Sequence, residues 1–329
     1  MKRILAIIAF AAAVCGCKGD RKALLPNVSG KAGEIIVVID KDNWEGTLGA
    51  ELRELLACDC PYLAQREPLY NLANVAPGGF NELFKVHRNI MVMNVGEQSD
   101  SASVAYFHDM WAAPQCIVQV NAPDPESAAR VVRENGRTIV GFIEQAERDR
   151  VIRNSIRYEE GSLAQAVREE FGGSPHFPMG YKMKKKSHDF IWIMDEKQYT
   201  MQGILIYRYP AMGDADELTV DRIVAKRNEI LKENVPGMFE NTWMTTGEYL
   251  PPQLEYFKYK GREFAQVRGL WDVENDFMGG PFVSQSFYSP DGSEVFVAEA
   301  FVYAPRYDKR QYLRQVESIL FSWEWAEKE

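Results

Sequence analysis

The feature that most restricts the architecture of this chain is a pair of apolar runs. Phe282 to Tyr288 and Glu294 to Tyr303 face each other across Pro290-Asp291-Gly292. Two apolar, β-favouring runs around a turn-forming tripeptide read as an antiparallel hairpin, which commits this part of the chain to a sheet. Leu254 to Tyr259 and Glu263 to Leu270, split by Lys260-Gly261, predict a second hairpin. Gly180 to Lys186 and Asp189 to Met194, with Ser187-His188 near the turn, predict a third, and Gly203 to Pro210 reads as a further strand.

Helical spacing appears between these runs. It predicts a short helix around Leu163 to Phe171 and another marked by Val220, Ile223, Val224, Ile230 and Leu231, which stops before Pro236-Gly237. The last helix carries Tyr312, Leu313, Val316, Ile319, Leu320 and Trp323 on one face. In the first half, Gly33 to Asp40 reads as a buried strand, followed by helical spacing at Leu48, Leu52, Leu55 and Leu56. Asn89 to Val95 and Cys116 to Val120 give two more strands. Asp124 with Pro125 then opens a helix that runs from Ala128 through Ile143 to about Tyr158.

Three strands end in a loop with adjacent Ala and Pro before a helix: Asn121-Ala122-Pro123, Pro210-Ala211 and Ala304-Pro305. This echo points to two related halves. The fold class expected is α+β, a mixed and largely antiparallel sheet or sheets with amphipathic helices covering one face.

The first residues address the chain. Lys2 and Arg3 precede an apolar run from Ile4 to Val14, too short to span a bilayer comfortably and suited to a secretory signal. Gly16-Cys17 then resembles the lipobox of bacterial lipoproteins, so Cys17 is the expected lipidated residue. Lys18 leans the address toward the outer membrane, on its periplasmic or its surface face. The expected organisation is a signal over 1–16, a flexible tether over 17–33, an N-terminal half over 34–160 and a C-terminal half over 161–329.

The full chain carries a formal charge of −9, and loss of Lys2 and Arg3 with the signal makes the mature chain more acidic still. An acidic surface repels phosphate backbones, which argues against nucleic acid as a partner. Besides Cys17, the mature chain keeps Cys58, Cys60 and Cys116, an odd set that is no disulfide scaffold. Cys58-Asp59-Cys60 lacks the spacing of a redox or zinc motif and reads as a loop with two thiols.

Familiar catalytic signatures are missing, and His87, His108, His176 and His188 are not spaced as metal ligands. The expectation is no metal and no cofactor. Lys182, Lys184 and Lys186 would share a strand face, as a blunted edge or as a contact for anionic headgroups or an acidic partner. The densest unusual stretch is RGLWDVENDFMGGPFVS, Arg268 to Ser284. Asp272, Glu274 and Asp276 begin like a calcium loop, but Phe277 stands where Gly is needed and Val283 where the bidentate acid belongs. Trp271, Asp272, Glu274 and Asp276 are therefore a candidate ligand or cation site. The competing reading is an irregular turn, with Gly279-Gly280-Pro281 re-aiming the chain. These acids, or Glu299, could also supply the carboxylate pair of a hydrolase.

That stretch, together with FVYAPRYDKRQYLRQVESILFS (Phe301 to Ser322), MQGILIYRYP (Met201 to Pro210) and LPNVSGKAGEIIVVID (Leu25 to Asp40), resembles domain of unknown function 4837. This is a family of uncharacterised lipoproteins of Bacteroidota-type bacteria, and the similarity extends over nearly the whole mature chain. The resemblance implies an envelope lipoprotein anchored through Cys17 and supplies no catalytic residue, substrate or cofactor. The expected role is binding of another envelope component, protein or glycan, by a lipid-anchored module. The alternative is an envelope hydrolase acting on glycan or peptide.

Overall fold

The computed structural model of the chain describes residues 25–213 and 217–326. Cys17 and the signal sequence lie outside the described residues. The described chain is α+β and divides into a first half built on a mostly parallel sheet and a second built on an antiparallel one.

The first half comprises β1 (Glu34–Val38), α1 (Lys41–Glu45), α2 (Thr47–Leu56), β2 (Asn71–Val75), α3 (Glu82–Lys85), β3 (Asn89–Val95), β4 (Ser103–His108), β5 (Cys116–Ala122), α4 (Pro125–Glu134) and α5 (Gly136–Arg157). Strand order is β2-β1-β3-β5-β4, with β4 the antiparallel edge. β1 is apolar at successive positions because both its faces are covered. Ile35 and Val37 pack under α2, α4 and α5, while Ile36 and Val38 meet Phe80, Phe84 and Trp111 on the other side.

The single long helix expected from Ala128 to Tyr158 is two helices, α4 and α5, parted at Asn135. Gly136 opens the second, where a Cβ would lie 2.9 Å from Leu55 Cδ1 of α2. Asp124 caps α4 through the Ser127 N–H, with Pro125 at the first turn, as the sequence predicts.

The second half adds α6 (Gly161–Phe171), β6 (Gly173–Ser174), β7 (Lys182–Ser187), β8 (Phe190–Lys197), β9 (Thr200–Pro210), α7 (Val220–Asn234), β10 (Met244–Thr246), β11 (Gln253–Tyr259), β12 (Arg262–Val273), β13 (Gly279–Tyr288), β14 (Glu294–Tyr303), α8 (Arg310–Leu320) and β15 (Glu324–Trp325). Its sheet runs β10-β12-β13-β14-β9-β8-β7, with β11 paired to β12. The expected one-sided covering is supplemented here. α6 and α8 pack on one face against Phe287, Ala298, Ala300 and Val302, while α7 covers the other over Phe282, Val295, Val297 and Phe301. Alternate residues of β14 therefore enter opposite cores, which is why both arms of the 282–303 hairpin are buried almost end to end, polar residues such as Ser284, Gln285 and Glu299 included.

Leu25 to Gly33, expected as flexible tether, is bonded to the first half. Asn27 bridges Ala113 and Ser29 bridges His87, with the Ser29 N–H donating to Val86 O at 2.8 Å. Gly30 is required at φ +86°, because a Cβ there would stand 2.1 Å from the His87 ring.

The halves meet where α5 packs on α8. Glu67, from the first half, accepts from the backbone N–H groups of Lys309 (2.7 Å) and Arg310 (2.9 Å). Lys309 offers α8 no side-chain cap of its own, so a carboxylate 242 residues away in sequence holds its first turn.

Candidate functional site: the β12–β13 turn

β12 and β13 pair with Trp271 opposite Gly280 and Asp272 opposite Gly279, leaving Glu274 to Met278 as the turn. The Val273 N–H donates to Met278 O (3.0 Å) and the Asp276 N–H to Val273 O (3.1 Å). Asn275 takes the left-handed conformation at φ +61°, which its short amide side chain tolerates better than most. Asp276 Oδ1 accepts from the Phe277 N–H at 2.7 Å and Asp272 Oδ1 from the Val273 N–H at 3.1 Å. The glycines are set by close approach. A Cβ on Gly280 would fall 2.1 Å from Val302 O, and one on Gly279 2.8 Å from Trp271 O.

Strand alternation splits the expected site in two. Asp272, Glu274 and Asp276 line an open groove of about 1010 Å³, with Glu248 on its other wall. Phe277 and Tyr249 stand beside it with their rings in solvent, Tyr249 at 92% exposure. Trp271 does not join them. It is buried, donates its indole N–H to Val302 O at 3.1 Å and packs edge-on to Phe301.

Trp271 is instead a wall of a second concavity behind the turn, about 340 Å³, which Val273 and Met278 also line. Met194, Met201, Met238 and Met244 bring four more thioethers to it, with Lys184 and Glu196 as its charged pair. Trp192 lines it too, and its indole N–H is buried with no acceptor among the described residues. Methionine is unbranched and adaptable, so such a lining can follow the shape of an apolar guest.

Glu299 is corrected as a candidate hydrolase carboxylate. It is fully buried and grips Arg227 of α7 with both oxygens, at 2.8 and 2.7 Å. Arg227 also donates to Thr246 Oγ1 at 2.9 Å, and Thr246 donates to Asn228 Oδ1 at 2.8 Å. Thr246 and Asn228 lie in the groove, so the buried pair underpins its floor.

The turn's acids do not converge as ion ligands. Among the described residues, the cluster with three ligand atoms within 4.8 Å is Glu170, His188 and Asp189. There Asp189 already accepts from Arg208 Nε at 2.6 Å, and Glu170 from the Asp189 N–H at 3.2 Å. Lys182, Lys184 and Lys186 lie on the edge strand β7, whose register slips between Met183 and Lys185. A bulged, lysine-studded edge resists pairing with other chains. Cys58, Cys60 and Cys116 are all free thiols.

Residues 160–322, which include the turn and both concavities, match the model of a domain of unknown function (DUF4837). The C-terminal half of this chain belongs to the DUF4837 family. Residues 28–156 match a different domain of unknown function, DUF8532. The DUF4837 match therefore takes in the stretches at Met201, Arg268 and Phe301, whereas most of the Leu25 to Asp40 stretch falls within the DUF8532 match. No curated protein matches the chain. Among solved structures, a Bacteroides thetaiotaomicron protein at 1.50 Å resolution is 13% identical with a TM-score of 0.21, over 47% of this chain and 46% of that one. The residues that sequence reasoning missed as a pocket are Trp192, Met194, Met201, Met238 and Met244, which come from three strands and a loop and share no local pattern.

Proposed function

We propose that the protein is a lipid-anchored component of the cell envelope, attached through Cys17 to the outer membrane, that binds another envelope component. The binding face is the β12–β13 turn of the DUF4837 half. One observation carries this reading: a single turn divides an apolar, methionine-lined pocket from an acidic groove flanked by two solvent-exposed rings. Exposed aromatics flanking a groove, with a formed apolar pocket across the same turn, are unusual on a surface with nothing to bind. The buried indole N–H of Trp192 suits a guest that presents an acceptor along with apolar surface. The basic, apolar and small-Cys order at the N-terminus supports the lipid anchor.

The test is photo-crosslinking in intact cells from a benzophenone side chain at Phe277, with Leu83, exposed on the first half, as control. A reproducible adduct at Phe277 that is missing at Leu83 is expected. Equal labelling at both, or none at either, removes the proposal. Incorporation of labelled fatty acid, lost in Cys17→Ser, checks the anchor separately.

A further inference from the structure

A third concavity, about 210 Å³, lies between the halves. Glu144 and Arg148 of α5, Arg268 of β12, Arg310, Arg314 and Glu317 of α8, and Cys60 line it. The lining holds four guanidinium groups against two carboxylates, an excess of positive charge inside an acidic protein.

Two of the four arginines are matched. Arg314 forks onto Glu144 at 2.6 and 3.1 Å, and Arg268 pairs with Glu317. Arg148 and Arg310 form no ion pair among the described residues. Arg148 donates to Gln145 Oε1 at 2.9 Å and lies over the Phe321 ring, its guanidinium carbon 3.7 Å from the centroid. Arg310 is only 7% exposed, donates Nη1 to Pro68 O, and keeps a buried Nε–H with no acceptor. The acid nearest its backbone, Glu67, accepts from the N–H groups of Lys309 and Arg310 instead. Cys60 offers no counter-charge either, since burial pushes its thiol up to about 11. Glu67 and Asp308 offset part of the Arg310 charge, but a buried guanidinium with no ion-pair partner among the described residues and an unused donor is costly, and its planar fork is shaped to receive oxyanions.

We infer that this inter-half cavity is a binding site for a compact oxyanion of the phosphate type, held by Arg310 and Arg148 with Arg268 and Arg314 behind them. Its volume lies below the roughly 300–1,000 Å³ of pockets for drug-sized ligands, which suits a single phosphate or a phosphomonoester head. The overall negative charge of the chain discourages nonspecific anion uptake, so affinity must come from these side chains. Arg148 belongs to the first half and Arg310 to the second, so an occupant ties the two together. The site is separate from the turn face and stands or falls independently of the proposed function.

The experiment is thermal unfolding of the purified mature protein against inorganic phosphate and against glycerol phosphate, with chloride at matched ionic strength as reference. A saturable rise of several degrees over chloride is expected, lost in Arg310→Gln and weakened at least tenfold in Arg148→Gln. The second variant sits at the half-exposed edge of the cavity and serves if the first does not fold. Saturation by glycerol phosphate at least as tight as by phosphate marks a headgroup as the occupant, and saturation by phosphate alone marks the free anion. No saturable rise with either, or a rise that Arg148→Gln leaves intact, overturns the inference.

Discussion

Arg227 and Glu299 lie 72 residues apart in sequence and meet as a fork of two hydrogen bonds, 2.8 and 2.7 Å, with neither side chain reaching solvent. The Arg227 guanidinium carbon also sits 4.0 Å from the centre of the Phe282 ring. This places a full ion pair within a mostly apolar core of the DUF4837 sheet, beside the buried Ser284 and next to the floor of the acidic groove. Breaking such a pair on one side leaves a buried charge alone, which typically costs about 3–5 kcal/mol. Glu299→Gln should therefore lower unfolding stability by about that much in a denaturant titration. The double change Arg227→Met with Glu299→Leu should recover most of the loss, because apolar replacement of both partners is often tolerated. Equal losses in the single and double variants would show that packing, not charge, dominates.

The glycines of the turn are less replaceable than its acids. Gly280→Ala drives a methyl group toward Val302 O and should destabilise by about 2–3 kcal/mol. Asp272→Asn and Glu274→Gln, on exposed side chains, should leave the unfolding midpoint close to the wild type while weakening any partner held in the groove. Midpoints of the three variants measured side by side decide the matter.

The contact between α5 and α8 is acid-sensitive. Burial alone would raise the Glu144 carboxyl, but Arg314 and the Tyr70 hydroxyl outweigh it and hold the group below the ordinary carboxylate range. A group lowered on folding stabilises the fold above its unfolded pKa and ceases to do so as pH falls through the folded one. Stability should thus decline on the acid side of the ordinary carboxylate range, and Glu144→Gln should flatten that part of the decline. Unfolding midpoints collected downward from neutral pH test it.

The three described thiols should react in a fixed order. Burial raises all three thiols, but Cys58 is exposed, whereas Cys60 is pushed up to about 11 and Cys116 to about 12. Since the thiolate is the nucleophile, iodoacetamide at neutral pH should modify Cys58 first and reach Cys116 only after unfolding. Mass spectrometry of timed samples gives the order directly.

Much of the element content could be read locally. Asn89–Val95, the 282–303 hairpin and the Asp124-Pro125 helix start all stand where composition and caps put them. β2 escaped notice because NLANV is mostly exposed at the sheet edge and so has little apolar signal. β4 is likewise an edge strand with half-buried residues. The turn was visible as unusual, yet Trp271 was grouped with the acids, although period-two alternation already sends residues 271 and 272 to opposite faces. Glu299 carried a clue of a similar kind. An acid inside EVFVAEAFVY, a strand buried almost end to end, needs a buried cation, but its partner lies on α7 and no spacing rule reaches it. The arginine cavity draws on positions 60, 148, 268, 310 and 314, and only the folded chain brings them together.

The cap on α8 bears on how the two halves acquire their structure. Leu313, Val316, Ile319 and Leu320 of this helix lie in the core of the antiparallel sheet, while its first turn is held by Glu67 from the other half. A fragment beginning at Gly161 would retain every strand of that sheet and still lack the carboxylate on which α8 begins. Its final helix should fray from the front, exposing part of the core it covers. The line between the two sequence families is therefore not a line along which the molecule can be cut into independently cooperative pieces.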